Sequence, residues 1–190
     1  MVAYRQTSVV GFGNYIEMFT RDKQFSKSLI ISLKYASVFV PLNMAIALFL
    51  AMLIAQPVKH TKIFRTIFYI PSVISGVAVS IIWSWILNSD YGILNYLLSL
   101  LGIKGPKWLV DPGYAILAVI IASAFGVGLM MLIFYTDIKG IPSTLYEAAS
   151  LDGASSFRQF FSITLPLITP TLLFNLITSI ISSFQQVTLV

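Results

Sequence analysis

Four long apolar runs constrain this chain most, because each is long enough to cross a lipid bilayer. They cover residues 35–55, 67–87, 115–135 and 167–190. The first three have 21 residues each, or about 31 Å as an α-helix, against a hydrocarbon core of about 30 Å. Within hydrocarbon the backbone must satisfy its own hydrogen bonds, and these runs lack the alternation of barrel strands. We therefore predict an all-α, polytopic membrane protein, with residues 1–190 as one transmembrane domain and these runs as its spans.

The composition agrees with a membrane protein. Hydrophobic residues make up 57% of the chain and charged residues only 10%, whereas soluble domains carry about 25% charged residues. The net charge is +5. The charged residues lie between the apolar runs, so they indicate membrane topology rather than nucleic-acid binding. The absence of cysteine excludes disulfides, thiolate metal sites and cysteine nucleophiles.

The basic residues of the loops predict an orientation. Loop 56–66 is basic and has no acidic residue, whereas loop 88–114 balances two lysines with two aspartates. The positive-inside rule then places loops 56–66 and 137–166 in the cytoplasm. This would leave four N-terminal cations outside, which a further helix before Met1 would explain. Together with an apolar C-terminal end, this predicts a fragment of a longer protein. The residues used are Lys59, His60, Lys62 and Arg65 in the first loop, and Arg5, Arg21, Lys23 and Lys27 near the N-terminus.

Two of the predicted spans carry small residues at four-residue spacing, which favours close packing of helices. The rows are Ser72, Gly76, Ser80 and Ser84 in the second span, and Ala118, Ala122 and Gly126 in the third. The four runs contain no aspartate or glutamate. Their absence argues against a proton relay.

The fourth run has a polar helical face, formed by Asn175, Ser179, Ser182, Ser183 and Gln186. Lipid cannot satisfy such groups, so they must face protein or a water-filled path. Hydrogen bonding between helices and a substrate path remain equal alternatives. Uncharged groups would suit a neutral polyol better than an ion.

The polar loop 137–166 is predicted to form a helix-turn-helix at the membrane surface. Thr144-x-x-Glu147 and Ser156-x-x-Gln159 have the pattern of capping boxes that open two short helices. Gly153 permits a turn between them, and Pro166 begins the fourth span. On mechanical grounds alone, this segment could be an amphipathic connector.

The spacing EAA-x3-G-x9-I-x-LP in residues 147–166 resembles the signature loop of binding-protein-dependent ABC importer permeases. Segments 11–15, 64–71 and 91–95 are similar to the sugar-type members, and resemble the maltose and glycerol-3-phosphate permease type. The resemblance implies a type I importer transmembrane domain, with four helices of a normally six-helix core. We call residues 137–166 the EAA loop.

The resemblance also implies partners and site residues. The loop would dock on a dimeric ABC ATP-binding subunit that binds ATP and Mg²⁺, so that this chain binds no cofactor of its own. The other expected partners are a second homologous permease, an extracytoplasmic solute-binding protein, a sugar-like solute and the bilayer of a bacterial inner membrane. The coupling residues would be Glu147, Ala148, Ala149, Asp152, Gly153 and Pro166. The substrate path would include Ser123, Gly126, Ser179, Ser182 and Ser183.

Other classes of function are less favoured by the sequence. A secondary transporter or channel without an ATPase would need intramembrane ionisable residues or broken helices, and neither is evident in the sequence. An intramembrane enzyme would need a nucleophile–base pair or metal ligands, but the only histidine, His60, lies in a basic loop. The phosphate-binding loop of ATPases is also absent, so we predict a transport subunit and not an enzyme.

Overall fold

The protein is described by a computed structural model covering residues 11–56 and 61–186. All regular structure within these residues is helical, which confirms the all-α class. Arg5, Lys59, His60 and the predicted end of the fourth span at 187–190 lie outside the described residues. The helices are α1 (Gly13–Thr20), α2 (Lys23–Ala55), α3 (Thr61–Val73), α4 (Gly76–Ile86), α5 (Ile93–Leu100), α6 (Pro112–Ala124), α7 (Gly128–Gly140), α8 (Ser143–Leu151), α9 (Ser156–Gln159), a π-helical turn (Phe160–Thr164), α10 (Leu165–Leu167) and α11 (Thr169–Gln186).

The long helix α2 forms the centre of the fold. It has 33 residues, about 50 Å at 1.5 Å per residue, and begins at Lys23 rather than at the predicted residue 35. Asp22 explains this start, because its carboxylate accepts the backbone N–H groups of Gln24 and Phe25 at 2.9 and 3.1 Å. Among the described residues, α2 is the one helix that by itself is long and apolar enough to cross a membrane.

The second and third predicted spans are bent helix pairs rather than single helices, and a third bent pair joins the segment Ser156–Leu167 to α11 at the start of the fourth predicted span. The bends are 98° between α3 and α4, 51° between α6 and α7, and 70° before α11. If each pair forms one span, the described residues contain up to four spans. The sequence-based expectation that no helix is broken is therefore wrong.

Residues without a backbone N–H or without a β-carbon occur at these breaks. Pro71 lies in the last turn of α3, and Pro166 and Pro170 flank the break before α11. At the start of α7, a β-carbon on Gly128 would overlap the carbonyl oxygen of Phe68. Because glycine has no β-carbon, α3 and α7 approach each other more closely at position 128 than they could with any other residue there.

The core lies where α7 and the start of α11 pack on α2. Ala47 and Ala51 of α2 are fully buried against Met131 and Phe134 of α7, together with Ile168. The alanines bring the two helix backbones close together, which is the principal source of packing energy where lipid supplies no hydrophobic drive. This core positions the EAA loop, because the loop connects α7 to Ile168.

A compact cap follows α4 on the side predicted to be external. Asn95 organises the cap, because its amide donates to the carbonyls of Ser89 and Pro106 at 3.1 and 3.2 Å. Its side-chain oxygen also accepts the indole N–H of Trp108 at 2.7 Å. Trp108 is packed with the buried residues Leu87 and Ala118. The cap therefore ties the end of α4 to α6.

Candidate functional site

The EAA loop forms the predicted helix-turn-helix, with α8 and α9 joined by a turn at Gly153. Gly153 has φ +73°, a left-handed conformation that glycine adopts without the strain of a β-carbon. Both predicted capping boxes are wrong in detail. α8 begins one residue before Thr144, after Pro142, without a side-chain cap. The cap of α9 is Ser155 rather than Ser156, and its side chain accepts the N–H of Arg158 at 3.4 Å.

Most of the predicted coupling residues are exposed. Glu147, Ala148, Asp152, Gly153 and Pro166 are accessible, whereas Ala149 is half-buried. Ala149 thus faces the loop's own interior more than a partner.

Two exposed apolar side chains near the turn were not among the predicted coupling residues. Leu151 is 90% exposed and Phe157 is 75% exposed. Both side chains are close in sequence to the predicted coupling residues and to the turn at Gly153, so we group them with those residues. We call the exposed residues Glu147, Ala148, Leu151, Asp152, Gly153 and Phe157 the outer surface of the loop.

The opposite side of α8 is hydrogen-bonded to later residues of the EAA loop itself. The hydroxyls of Tyr146 and Thr164 lie 2.8 Å apart. The amide of Gln159 donates to Ser150 Oγ at 3.0 Å and to the carbonyl of Ala154 at 3.1 Å. The sequence offers no local signal for the first pair, because its members are 18 residues apart.

A groove of about 470 Å³ lies between the α3–α4 pair and the α6–α7 pair. Two of the predicted path residues, Ser123 and Gly126, line it. The small-residue row of the second span also lines this groove, so its expected role in close packing within this chain is wrong. The third-span row is divided, because Ala118 is fully buried whereas Gly126 is exposed.

The groove wall combines hydroxyl groups with aromatic rings and carries no charge among its described residues. Trp83 and Phe125 meet edge to face, with ring centroids 5.9 Å apart. Ser123 is held from behind by the hydroxyl of Tyr35 at 3.1 Å, a contact across 88 residues of sequence. The lining residues are Pro71, Ser72, Ile74, Gly76, Val79, Ser80, Trp83, Ser84, Leu87, Leu109, Ala118, Val119, Ala122, Ser123, Phe125, Gly126 and Leu129.

The polar face of α11 lies apart from this groove. Asn175, Ser179 and Ser183 are 2%, 4% and 0% exposed, whereas Ser182 is exposed. None of the four lines the groove, and the side chain of Gln186 lies outside the described residues. Asn175 Nδ2 and Ser179 Oγ are buried without a hydrogen-bond partner in the part of the chain that the structure describes. The predicted path residues therefore form two separate groups.

Residues 44–190 match the family described as the binding-protein-dependent transport system inner membrane component. The match contains the whole EAA loop and all the residues that line the groove. The chain belongs to this family. Its membership accounts for the EAA spacing and for the membrane character of the sequence.

Individual permeases are similar over nearly all of the chain. A probable ABC transporter permease protein of Bacillus subtilis, YesP, is 42% identical over 94% of this chain and 58% of its own length. The trehalose/maltose transport system permease protein MalF of Thermococcus litoralis is 33% identical over 93% of this chain and 60% of its own length. The chain thus spans somewhat over half the length of these permeases.

A solved structure shares the fold. A chain of a bacterial ABC transporter involved in the import of the acidic polysaccharide alginate superposes with a TM-score of 0.82 at 25% identity. The superposition covers 92% of this chain and 62% of the other. The helical arrangement of this chain is therefore similar to that of a chain in this ABC transporter.

Proposed function

We propose that this chain is part of the membrane-spanning permease subunit of an ATP-driven importer for a sugar or a related polyol. The observation that carries the proposal is the two-sided EAA loop. Its outer surface is exposed, while its inner side is hydrogen-bonded to Thr164, at the end of the loop next to the fourth span. A loop of this form can receive force from another protein and pass it to membrane helices.

The proposed partner at the loop is a dimeric ATP-binding subunit in the cytoplasm, which would bind ATP and Mg²⁺. A second homologous permease would complete the membrane path, and a solute-binding protein would deliver the solute from outside the bacterial inner membrane. One related solved structure holds an alginate pentasaccharide-bound periplasmic protein, which supports the last partner by analogy. Closure of the ATPase dimer would move the outer surface and switch the permeases between inward-open and outward-open states.

The groove is the proposed path for the solute. Serine hydroxyls can bond to sugar hydroxyls, and the rings of Trp83 and Phe125 offer flat apolar faces for a sugar ring. The absence of charge on its described wall favours a neutral solute over an acidic one. Ser179 and Ser183 would join this path only through a rearrangement of α11, since they are buried elsewhere in this conformation.

An ATPase-independent transporter remains the alternative that the test must exclude. The bent helices remove one argument against it, because broken helices are typical of secondary transporters. The family match and the exposed EAA loop support the importer instead.

Cross-linking of the full-length permease to its ATPase tests the proposal. The cysteine-free chain allows a single Ala148→Cys at an exposed coupling position, paired with cysteines along the cleft of the co-expressed ATPase. We expect cross-links whose yield changes with Mg-ATP. Leu101→Cys, also exposed but on the opposite, predicted external side, should give none. Equal cross-linking at both positions, or none at Ala148→Cys, would contradict the importer.

A further inference from the structure

We propose that Tyr146, Thr164 and Gln159 are positioning residues that carry the movement of the EAA loop into the fourth span. The proposal rests on the proposed function, in which an ATPase moves the outer surface of the loop. The proposal assigns a role to the hydrogen-bonded inner side of α8, which the exposed residues of the motif do not explain.

The first connection runs from α8 to the core. Tyr146 is half-buried and its hydroxyl lies 2.8 Å from Thr164 Oγ1, while Thr164 is only 6% exposed. The carbonyl of Thr164 accepts the N–H of Ile168 at 3.1 Å. Ile168 is fully buried against Met131 and Phe134. One hydroxyl pair and one helical turn thus connect the loop to the packed centre of the molecule.

The second connection holds the other end of α8. Gln159 bridges Ser150 and the carbonyl of Ala154. Ser150 in turn donates to the carbonyl of Tyr146 at 2.8 Å. Tyr146 and Ser150 are one helical turn apart and share a face. The inner side is therefore held at two points, by Thr164 next to the fourth span and by Gln159 of α9, so under the proposal α8 and α9 move together and Thr164 passes the movement on.

The backbone at this junction supports the same role. Residues Phe160–Thr164 form a π-helical turn, a rare geometry that recurs at functional sites. The contact from Tyr146 is made to its last residue. A turn that is less favourable than an α-helix needs such contacts to keep its register when the loop is pushed.

These contacts can be distinguished from merely stabilising ones. A stabilising hydrogen bond, when removed, lowers the melting temperature but leaves the response to nucleotide intact. A positioning hydrogen bond, when removed, leaves nucleotide binding intact but weakens the response of the membrane helices. The test therefore measures both nucleotide trapping by the ATPase and the response of the membrane helices.

The experiment uses the full-length permease, its partner permease and its ATPase in proteoliposomes. Ser80→Cys places a single thiol on the groove wall, and its labelling rate by a membrane-impermeant maleimide reports opening of the groove. Mg-ATP with orthovanadate traps the ATPase, and the amount of trapped nucleotide is measured in the same vesicles. No transported solute is needed.

We expect Tyr146→Phe and Thr164→Val to trap nucleotide normally. The vanadate-induced change in labelling rate should be about three- to ten-fold smaller, which corresponds to the loss of one neutral hydrogen bond. Gln159→Ala should act in the same direction. The double variant Tyr146→Phe/Thr164→Val should be no worse than either single variant, because the pair acts as a unit. Thr164→Ser keeps the hydroxyl and should restore the response.

The matched control is Thr136→Val, whose exposed hydroxyl donates to the carbonyl of Leu132 within α7. It should respond as the unsubstituted protein does. A full labelling response in Tyr146→Phe and Thr164→Val, with or without lower thermal stability, would overturn the inference alone. An unsubstituted protein that neither binds the ATPase nor responds to vanadate would overturn the proposed function and the inference with it.

Discussion

At the scale of the residue, the positions that matter in the EAA loop differ in which side they face. Ala148 and Ala149 are adjacent in the motif, yet the first is exposed and the second half-buried. Likewise, Glu147 is exposed whereas the preceding Tyr146 is half-buried. A motif that is continuous in sequence is therefore two-sided in space, because a short helix turns successive residues by about 100°.

Gly153 gives the first prediction at this scale. Its φ is +73°, and an added β-carbon would meet no atom within 4 Å. The cost of Gly153→Ala is therefore conformational, about 1–2 kcal/mol, and falls on the turn alone. We expect normal membrane insertion with weakened coupling of ATP hydrolysis to transport, and a stronger effect for Gly153→Leu.

The ratio of ATP hydrolysed to solute imported in vesicles measures this effect. Gly140→Ala is the control, because that site is equally open and lacks a positive φ. Normal coupling in Gly153→Leu would show that the turn conformation is not needed.

Ser179 gives the second prediction. Its hydroxyl is buried without a partner among the described residues, and an unsatisfied buried polar group costs about 1–3 kcal/mol. Ser179→Ala should thus leave thermal stability unchanged or raise it. If the hydroxyl serves the solute path, uptake should fall. This substitution is sharper than Ser179→Leu, because the larger side chain would also disturb a closely packed site.

Melting temperature and uptake are measured on the same preparation to distinguish a role of Ser179 in the solute path from a role in packing. Thr178→Val is the control, because Thr178 is half-buried and its hydroxyl donates to the carbonyls of Phe174 and Asn175 within α11. Lower stability with unchanged uptake would assign the polar face of α11 to packing.

At the scale of the element, bends in the helix pairs create the groove. A straight α3–α4 span would pack its row of small residues on a neighbouring helix. The 98° bend turns this row into a groove wall instead. The bend between α6 and α7 occurs next to Gly128, where α7 meets the backbone of α3.

Gly128→Ala tests this contact. The new β-carbon would overlap the backbone of Phe68 and Tyr69, which cannot yield as a flexible side chain would. We expect a loss of about 1–3 kcal/mol in stability, seen as a lower melting temperature of the purified full-length protein. Gly76→Ala has open space around it and should change the melting temperature little. Equal stability of the two variants would contradict the close approach of α3 and α7.

At the scale of the whole molecule, assembly with an ATPase would bury the outer surface of the EAA loop. Leu151 is 90% exposed, and its burial in a partner's apolar cleft is worth about 1.5–3 kcal/mol. We expect Leu151→Ala to weaken binding of the ATPase by about ten-fold or more. The affinity of the detergent-solubilised permease for purified ATPase measures the change.

Leu101→Ala is the matched control, since Leu101 is 75% exposed on the predicted external side. It should bind the ATPase with unchanged affinity. If both variants bind as the unsubstituted protein does, Leu151 does not belong to the docking surface.

The amino-acid sequence by itself determined the helical class, the EAA spacing and the family resemblance. These depend on hydropathy and on residues close together in the chain, such as Glu147 and Gly153. Only the tertiary structure decided where the apolar runs bend, what the small residues face and how the loop is attached. The reason is that these features arise from distant contacts. Gly128 meets Phe68, Tyr35 bonds to Ser123, and Tyr146 bonds to Thr164, and no local pattern encodes such pairs.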